Sequence, residues 1–366
     1  MTAAAVPGTP DAAFDRSLAA ARRHGEAVIV PLGALVAGLL AFALFLGIVG
    51  RSPAEFYGLV YQAAYGSTFA WENTLARTAP LLLAALCTAL PARLGMIMIG
   101  GEGAIVLGGV AAGIFAMLYP ALPGVLGIGG MVAVAALAGG TWIGTIGFLR
   151  HLRGVNETIA SLLMAYVAIA LMNHLVEGPF RDAASLNKPS TAPLSDGFRI
   201  GTIPGLDVHW GLAIGIAACV LCWVLLERTT WGFAARIVGG NVRAAQVQGL
   251  PVGRLMVGFS VLGGACAGIA GMIEVAAVHG AANASLAAGY GYTGILIAFL
   301  ARHHMLAILP VATLLAGFEA ASGLVQRRMD LPDATVLVLQ GMVFVALLAG
   351  EALHGRLAWF RAPGRQ

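Results

Sequence analysis

The chain has 366 residues, 59% of them hydrophobic and only 10% charged, with a net charge of +4 and a mean hydropathy of +0.87. Soluble globular domains carry about 25% charged residues, so this composition excludes a soluble enzyme and specifies an integral membrane protein. Nearly all the positive charge is arginine, with Lys188 the lone lysine; the arginines fall at the ends of apolar runs and not in a patch with aromatic partners, which argues against a nucleic-acid surface.

Polar residues 1–26 read as an N-terminal tail, and because no signal-peptide cleavage site follows, the first apolar run is expected to be retained. Runs long enough to cross or nearly cross a hydrocarbon core of about 30 Å lie at 27–50, 76–98, 102–119, 125–149 and 157–177. A second set lies at 209–227, 255–278, 289–301, 305–325 and 335–353, and residues 354–366 form a C-terminal tail. The fold class is therefore all-α integral membrane with about ten transmembrane helices. Pro91 and Arg93 interrupt the second run, the third is short, and Gly289-Tyr290-Gly291-Tyr292 opens the eighth, which marks these as broken or half-crossing. Gly100-Gly101-Glu102-Gly103 and Gly289-Tyr290-Gly291-Tyr292-Thr293-Gly294 each open an apolar helix, so the chain is built of two loosely repeated halves.

Positive residues stay cytoplasmic. With the N-terminus inside and ten crossings, thirteen arginines fall on inside segments against seven basic residues outside, Arg77 among the seven and Arg93 unassigned. Both termini and the loop 228–254 are thus expected inside, and the proline-bearing segment 178–208 outside, as a cap over the bundle.

The loop 228–254 contains the marks of a short helix: Asn241 at the N-cap, helix formers from Val242 through Arg243, Ala244 and Ala245 to Gln248, Gly249 at C′, and Pro251 beyond. A two-turn helix is marginal in water, so it must dock on something, and a separate cytosolic protein is the expected dock. Ionisable residues within spans are expensive and face a cavity or a partner. Glu102 either caps its own helix or lines a pathway; Glu274 and Glu319 make structural hydrogen bonds or touch substrate; His174 sits near the interface. Asn156 reads as an N-cap with Glu157 in the first turn, or else as a contact to a cytosolic partner. Paired glycines, such as Gly109 with Gly113 and Gly264 with Gly268, and the cysteines Cys87, Cys219, Cys222 and Cys266 read as bundle packing. No phosphate-binding loop is present, since the only lysine follows Asn187, so any ATP is hydrolysed elsewhere. HExxH and GxSxG motifs are also missing, which leaves a membrane enzyme without an anchor.

Four stretches in order, Ile99-Gly100-Gly101-Glu102-Gly103, Gly154-Val155-Asn156-Glu157-Thr158-Ile159, Thr230-Trp231-Gly232-Phe233 running into Gly239-Gly240-Asn241-Val242-Arg243-Ala244-Ala245 and Gly249, and Gly289 to Gly294, resemble the permease subunits of bacterial ABC importers for ribose-type sugars, nucleosides and branched-chain amino acids. The resemblance spans roughly residues 30–353 and is strongest to the nucleoside-import branch. It implies a multi-pass inner-membrane subunit that contacts lipid and pairs with a second, unlike permease. It further implies an external substrate-binding lipoprotein and a cytosolic ATPase that holds ATP and magnesium, with no cofactor in this chain. The segment from Gly239 to Gly249 would be the coupling helix. Substrate-pathway residues are then expected at Asn73, Glu102, Gly103, Asn156 and Tyr290. Met98 and Ala104 depart from the family, which commonly has Asn and Gln there, so polar contacts to a solute must come from elsewhere. Sugars are the alternative cargo, and an ion-coupled secondary transporter using Glu102, Glu274 and Glu319 is the rival from another class.

Overall fold

A computed structural model describes residues 10–185, 188–332 and 334–353, with side chains from 29 to 350 inside these ranges; the ends of both expected tails, 1–9 and 354–366, lie outside the described residues. Among the described residues there is no β-strand, only two isolated bridges, as expected where spanning segments must satisfy their own backbone groups. Thirteen α-helices follow in order: α1 Pro10–Ile48, α2 Pro53–Tyr65, α3 Thr68–Ala92, α4 Gly101–Leu118, α5 Gly124–Arg153, α6 Glu157–Glu177, α7 Gly211–Arg228, α8 Thr230–Gly240, α9 Val242–Val247, α10 Val252–Ile273, α11 Tyr290–Leu300, α12 Ile308–Met329 and α13 Ala334–Leu353. Eight stretches are long and apolar enough to span, and the shorter apolar stretches Ala284–Leu300 and Ala334–Gly350 complete the ten expected from hydropathy.

The differences from that expectation are local. Within the expected N-terminal tail the chain is helical from Pro10 onward, continuous with the first span. The second run begins at Thr68, eight residues earlier than its hydropathy, because the Ser67 side chain caps it by accepting the Ala70 N–H at 3.1 Å. It ends at Ala92, just past Pro91, and Gly95 turns the chain with φ +76°. A connector, residues 93–100, then leads into α4. The seventh run ends in a single π-helical turn, Glu274–His279. Helices α2 and α8 fall where no run was expected.

The chain separates into two units. In the first, Met1–Tyr57 with Gln326–Gln366, α1 lies against α13 at Gly38 and Val343. There Phe42 and Phe56 meet at 5.0 Å, and the Tyr57 hydroxyl donates to the Leu39 carbonyl at 2.5 Å. In the second, Gly58–Val325, α10 is the central post, packed on α3, α4 and α5. Gly139 of α5 meets Gly264 and Gly268 backbone to backbone, the close approach that small residues permit in lipid. The four cysteines are free and buried in this unit. The segment following α6 folds back over one end of the bundle: Thr191 N–H donates to Ala282 carbonyl at 2.9 Å, Leu194 to Gly280 at 2.8 Å and Ile200 to Ala276 at 3.1 Å.

Candidate functional site

The first landmark is a meeting of two helix starts. Helix α11 has only eleven residues, about 16 Å at 1.5 Å per residue, so it crosses half a bilayer core. Its N-terminus abuts that of α4: a Cβ added to Gly291 would collide with the backbone N and Cα of Glu102, so only glycine fits. Both starts carry unsatisfied N–H groups and a positive dipole end. One side chain serves both. Glu102, in the first turn of α4 and 1% exposed, accepts the Gly289 N–H on Oε1 at 2.7 Å and the Gly291 N–H on Oε2 at 2.6 Å. It therefore caps the other half-helix while sitting at the favourable end of its own. Gly103 faces away, against Ala165 and Ala168 of α6. Met98 and Ala104 are fully buried, where apolar side chains suit their surroundings.

Beside this junction lies a cluster of ionisable groups from four elements. Tyr290 of α11 lies within electrostatic reach of the Glu274 carboxylate, which also has His279 Nε2 at 3.6 Å. Arg77 of α3 and Glu319 of α12 lie within electrostatic reach of both Glu274 and Tyr290, and Thr293 donates to Glu319 Oε1 at 3.1 Å. Asn73, one helical turn before Arg77, is half-buried, as are Arg77, Tyr290 and Glu319. A charged residue in mid-span that is only half-buried does not face hydrocarbon; it faces a watered cavity or another protein. Arg77 Nε is buried without a hydrogen-bond partner. The π turn that carries Glu274 is a distortion that recurs at functional sites. Tyr290 belongs to this cluster and Asn73 lies one helical turn before Arg77 on α3; Arg77 itself was not among the expected pathway residues. Its position four residues after Asn73 on one helix face is the signal, and a span beginning at 76 by hydropathy leaves Arg77 at a loop edge, whereas α3 begins at Thr68.

At the far end of α3 is the capped segment. Asn241 accepts the Ala244 N–H on its side-chain oxygen at 3.0 Å, and Gly249 takes φ +75°; the short helix stands where its end signals put it. Ala245 is 0% exposed, while Val247 is 89% exposed and Val242 faces outward too, as do Arg243, Ala244 and Gln248. Before it, Thr229 caps α8 by accepting the Gly232 N–H at 3.4 Å. Gly239 lies against the Arg93 carbonyl so closely that a Cβ would overlap it, and Gly240 has open space. Asn156 lies apart from the cluster: it is exposed and caps α6 by accepting the Ile159 N–H at 3.1 Å, with Glu157 3.3 Å from Arg150. Burial, followed by the charges of Arg93 and Arg302, lowers the His303 pKa to about 4.

Known proteins match the sequence of this chain over most of its length. A family model described as branched-chain amino acid transport system / permease component covers residues 70–348. A glucose ABC transporter permease of Haloferax volcanii is 32% identical over 347 residues, 92% of this chain and 90% of that one. A guanosine ABC transporter permease of Bacillus subtilis is 27% identical over 343 residues, covering 89% and 94%. A nucleoside ABC transporter permease of Lactococcus lactis is 26% identical over 328 residues, covering 87% and 90%. This chain is a multi-pass membrane protein and belongs to the branched-chain-type permease family of ABC transporters.

Proposed function

We propose that this chain forms half of the translocation pathway of an ATP-driven importer for uncharged, hydroxyl-rich solutes, nucleosides in the first place. The observation that carries this reading is Glu102. Helix N-termini pointing into a membrane protein are where a substrate carboxylate would bind, and here both are already filled by a built-in anion. Glu274 and Glu319 add two more carboxylates against the single guanidinium of Arg77, an environment that repels an anionic ligand. A neutral nucleoside meets instead the hydroxyl of Tyr290, the amide of Asn73 and the unpartnered Arg77 Nε, groups that hydrogen-bond without requiring ligand charge. The guanosine and nucleoside permeases among its relatives agree with that chemistry. Monosaccharides are the second reading, favoured by the 32% identity to the glucose permease.

In this reading α9 docks on a separate cytosolic ATPase that binds ATP and magnesium. A second, unlike permease completes the pathway, and an external binding lipoprotein delivers solute near the 178–208 segment. Removing Arg77 from the outside count and placing Arg93 beside Glu227 and Arg236 both strengthen the orientation with the α8–α9 end and the two termini in the cytoplasm, the membrane being the bacterial inner membrane. Uptake into proteoliposomes holding the full complex tests the scheme: ATP-dependent accumulation of labelled guanosine is expected, with leucine failing to compete. Accumulation of glucose alone would transfer the assignment to sugars. Uptake that persists without ATP would overturn the importer reading in favour of ion coupling.

A further inference from the structure

The connector between α3 and α4 and the first turn of α4 hold α11 at its two ends. At the start of the connector, Arg93 Nε donates to the His303 carbonyl at 3.1 Å, just past the C-terminus of α11; just beyond the connector, Glu102 of α4 holds the N–H groups of Gly289 and Gly291. Arg302 and His303 sit at φ +50° and +55°, a left-handed pair that non-glycine residues adopt only where surroundings over-determine them. The same Arg93 also belongs to a second set of contacts. Glu227, at the end of α7, lies with Oε1 3.8 Å from Arg93 Nη2 and with Oε2 3.2 Å from Arg236 Nη1 of α8. Arg236 Nη2 further donates to the Leu226 carbonyl at 3.3 Å, and Gly239 rests on the Arg93 carbonyl.

We infer that Glu227 is the positioning residue that transmits movement of the α8–α9 segment to α11, by holding Arg236 of α8 and Arg93 of the connector on one carboxylate. The inference rests on the reading of α9 as the ATPase dock. Without Glu227, two guanidinium groups that share one anion become a repelling pair, and α8 loses its ionic hold on the connector. The half-helix that borders the Arg77, Glu274 and Tyr290 cluster then no longer follows the dock. Neutralising Arg93 breaks the same link from its other side while leaving the Glu227 and Arg236 pair intact.

A spin label on Ile97→Cys reads the connector directly, because Ile97 is exposed and the four native cysteines are buried. The complete complex, ATPase included, is compared before and after trapping with magnesium, ATP and vanadate, a probe that needs no knowledge of the cargo. In the otherwise native complex, trapping is expected to change the label's mobility. In Glu227→Gln and in Arg93→Gln that change is expected to shrink at least fivefold, with the ATPase still copurifying. A full change in either variant overturns the inference, as does a label that never responds. Loss of the ATPase from Glu227→Gln would make Glu227 part of the dock itself and overturn it equally. Failure of the docking reading shows separately, as retention of the ATPase by Val247→Asp.

Discussion

Replacing Glu102 by glutamine separates a structural cap from a transport ligand. The carboxylate accepts two backbone N–H groups at 2.7 and 2.6 Å in a position 1% exposed. Hydrogen bonds to a charged acceptor contribute about 1.5–3 kcal/mol each, and a buried donor left unmade costs about 1–3 kcal/mol. Glutamine keeps one acceptor oxygen but turns an NH2 toward the second N–H, so one bond becomes neutral and the other becomes donor against donor. Loss of the anion between two dipole ends adds about 0.3–1 kcal/mol. The sum is about 2–5 kcal/mol, and at roughly 1.3 °C per kcal/mol for a chain of this size the purified protein is expected to melt about 3–6 °C lower. Glu102→Ala, which abandons both N–H groups, is expected to fall further. Thermal unfolding followed by size-exclusion in detergent measures this directly. A Glu102→Gln protein that melts within about 1 °C of the native one yet has lost uptake would refute the capping argument and make Glu102 a transport ligand.

Four further outcomes are expected. Val247→Asp, at a position 89% exposed, should release the ATPase on copurification while shifting stability by no more than about 0.5 kcal/mol; Ala245→Glu, at a position with no exposure, should instead lower the melting temperature, since it drives a charge into packed backbone. Gly291→Ala should destabilise as well, because its Cβ meets the Glu102 backbone, and proteolysis of the 280–290 region would report the displaced half-helix. His303, whose pKa falls from the ordinary 6.5 to about 4 through burial and then Arg93 and Arg302, binds fewer protons folded than unfolded. Its contribution to stability is therefore complete above about pH 6.5 and is lost as pH falls toward 4; melting curves across that window should flatten in His303→Leu. Arg77→Gln should abolish uptake while basal ATP hydrolysis continues, and adding Glu274→Gln should restore part of it, because the pair then carries no uncompensated carboxylate; a double variant as poor as the sum of the singles would separate these two side chains.

What was legible in the sequence followed the range of the interactions. Asn241 and Gly249 bracket α9 through contacts three to five residues away, and Asn156 starts α6 in the same local manner, so both ends could be read directly. The spans were legible wherever hydropathy and helix coincide, as in α6 at 157–177. They were misdrawn where a helix carries charge inside the membrane: Glu72, Asn73 and Arg77 lower the hydropathy of the first turns of α3, although Ser67 begins it. Helices α2 and α8, at 13 and 11 residues, are too short and too mixed to announce themselves as runs. The partner of Glu102 was invisible for a different reason. It lies 187 residues away, and no local pattern distinguishes a carboxylate that caps its own helix from one that reaches across to another.

The weak repeat between the two halves acquires a physical meaning at that junction. Gly101-Glu102-Gly103 and Gly289-Tyr290-Gly291 each place one polar side chain between glycines at the start of an apolar helix. Two helix starts brought this close would repel through their dipole ends, and one carboxylate placed between them removes that repulsion for both. A second carboxylate at position 290 would be redundant for capping and would add charge beside Glu274 and Glu319. The equivalent position can therefore diverge, and it carries a tyrosine, uncharged, within electrostatic reach of Glu274. The asymmetry divides the labour: the first half supplies the anion that joins the starts of α4 and α11, and the second supplies the neutral polar group beside the ionic cluster. A Tyr290→Glu chain makes the division testable, since it should assemble poorly even though it improves the sequence repeat, and normal assembly with normal melting would remove the electrostatic reason for the divergence.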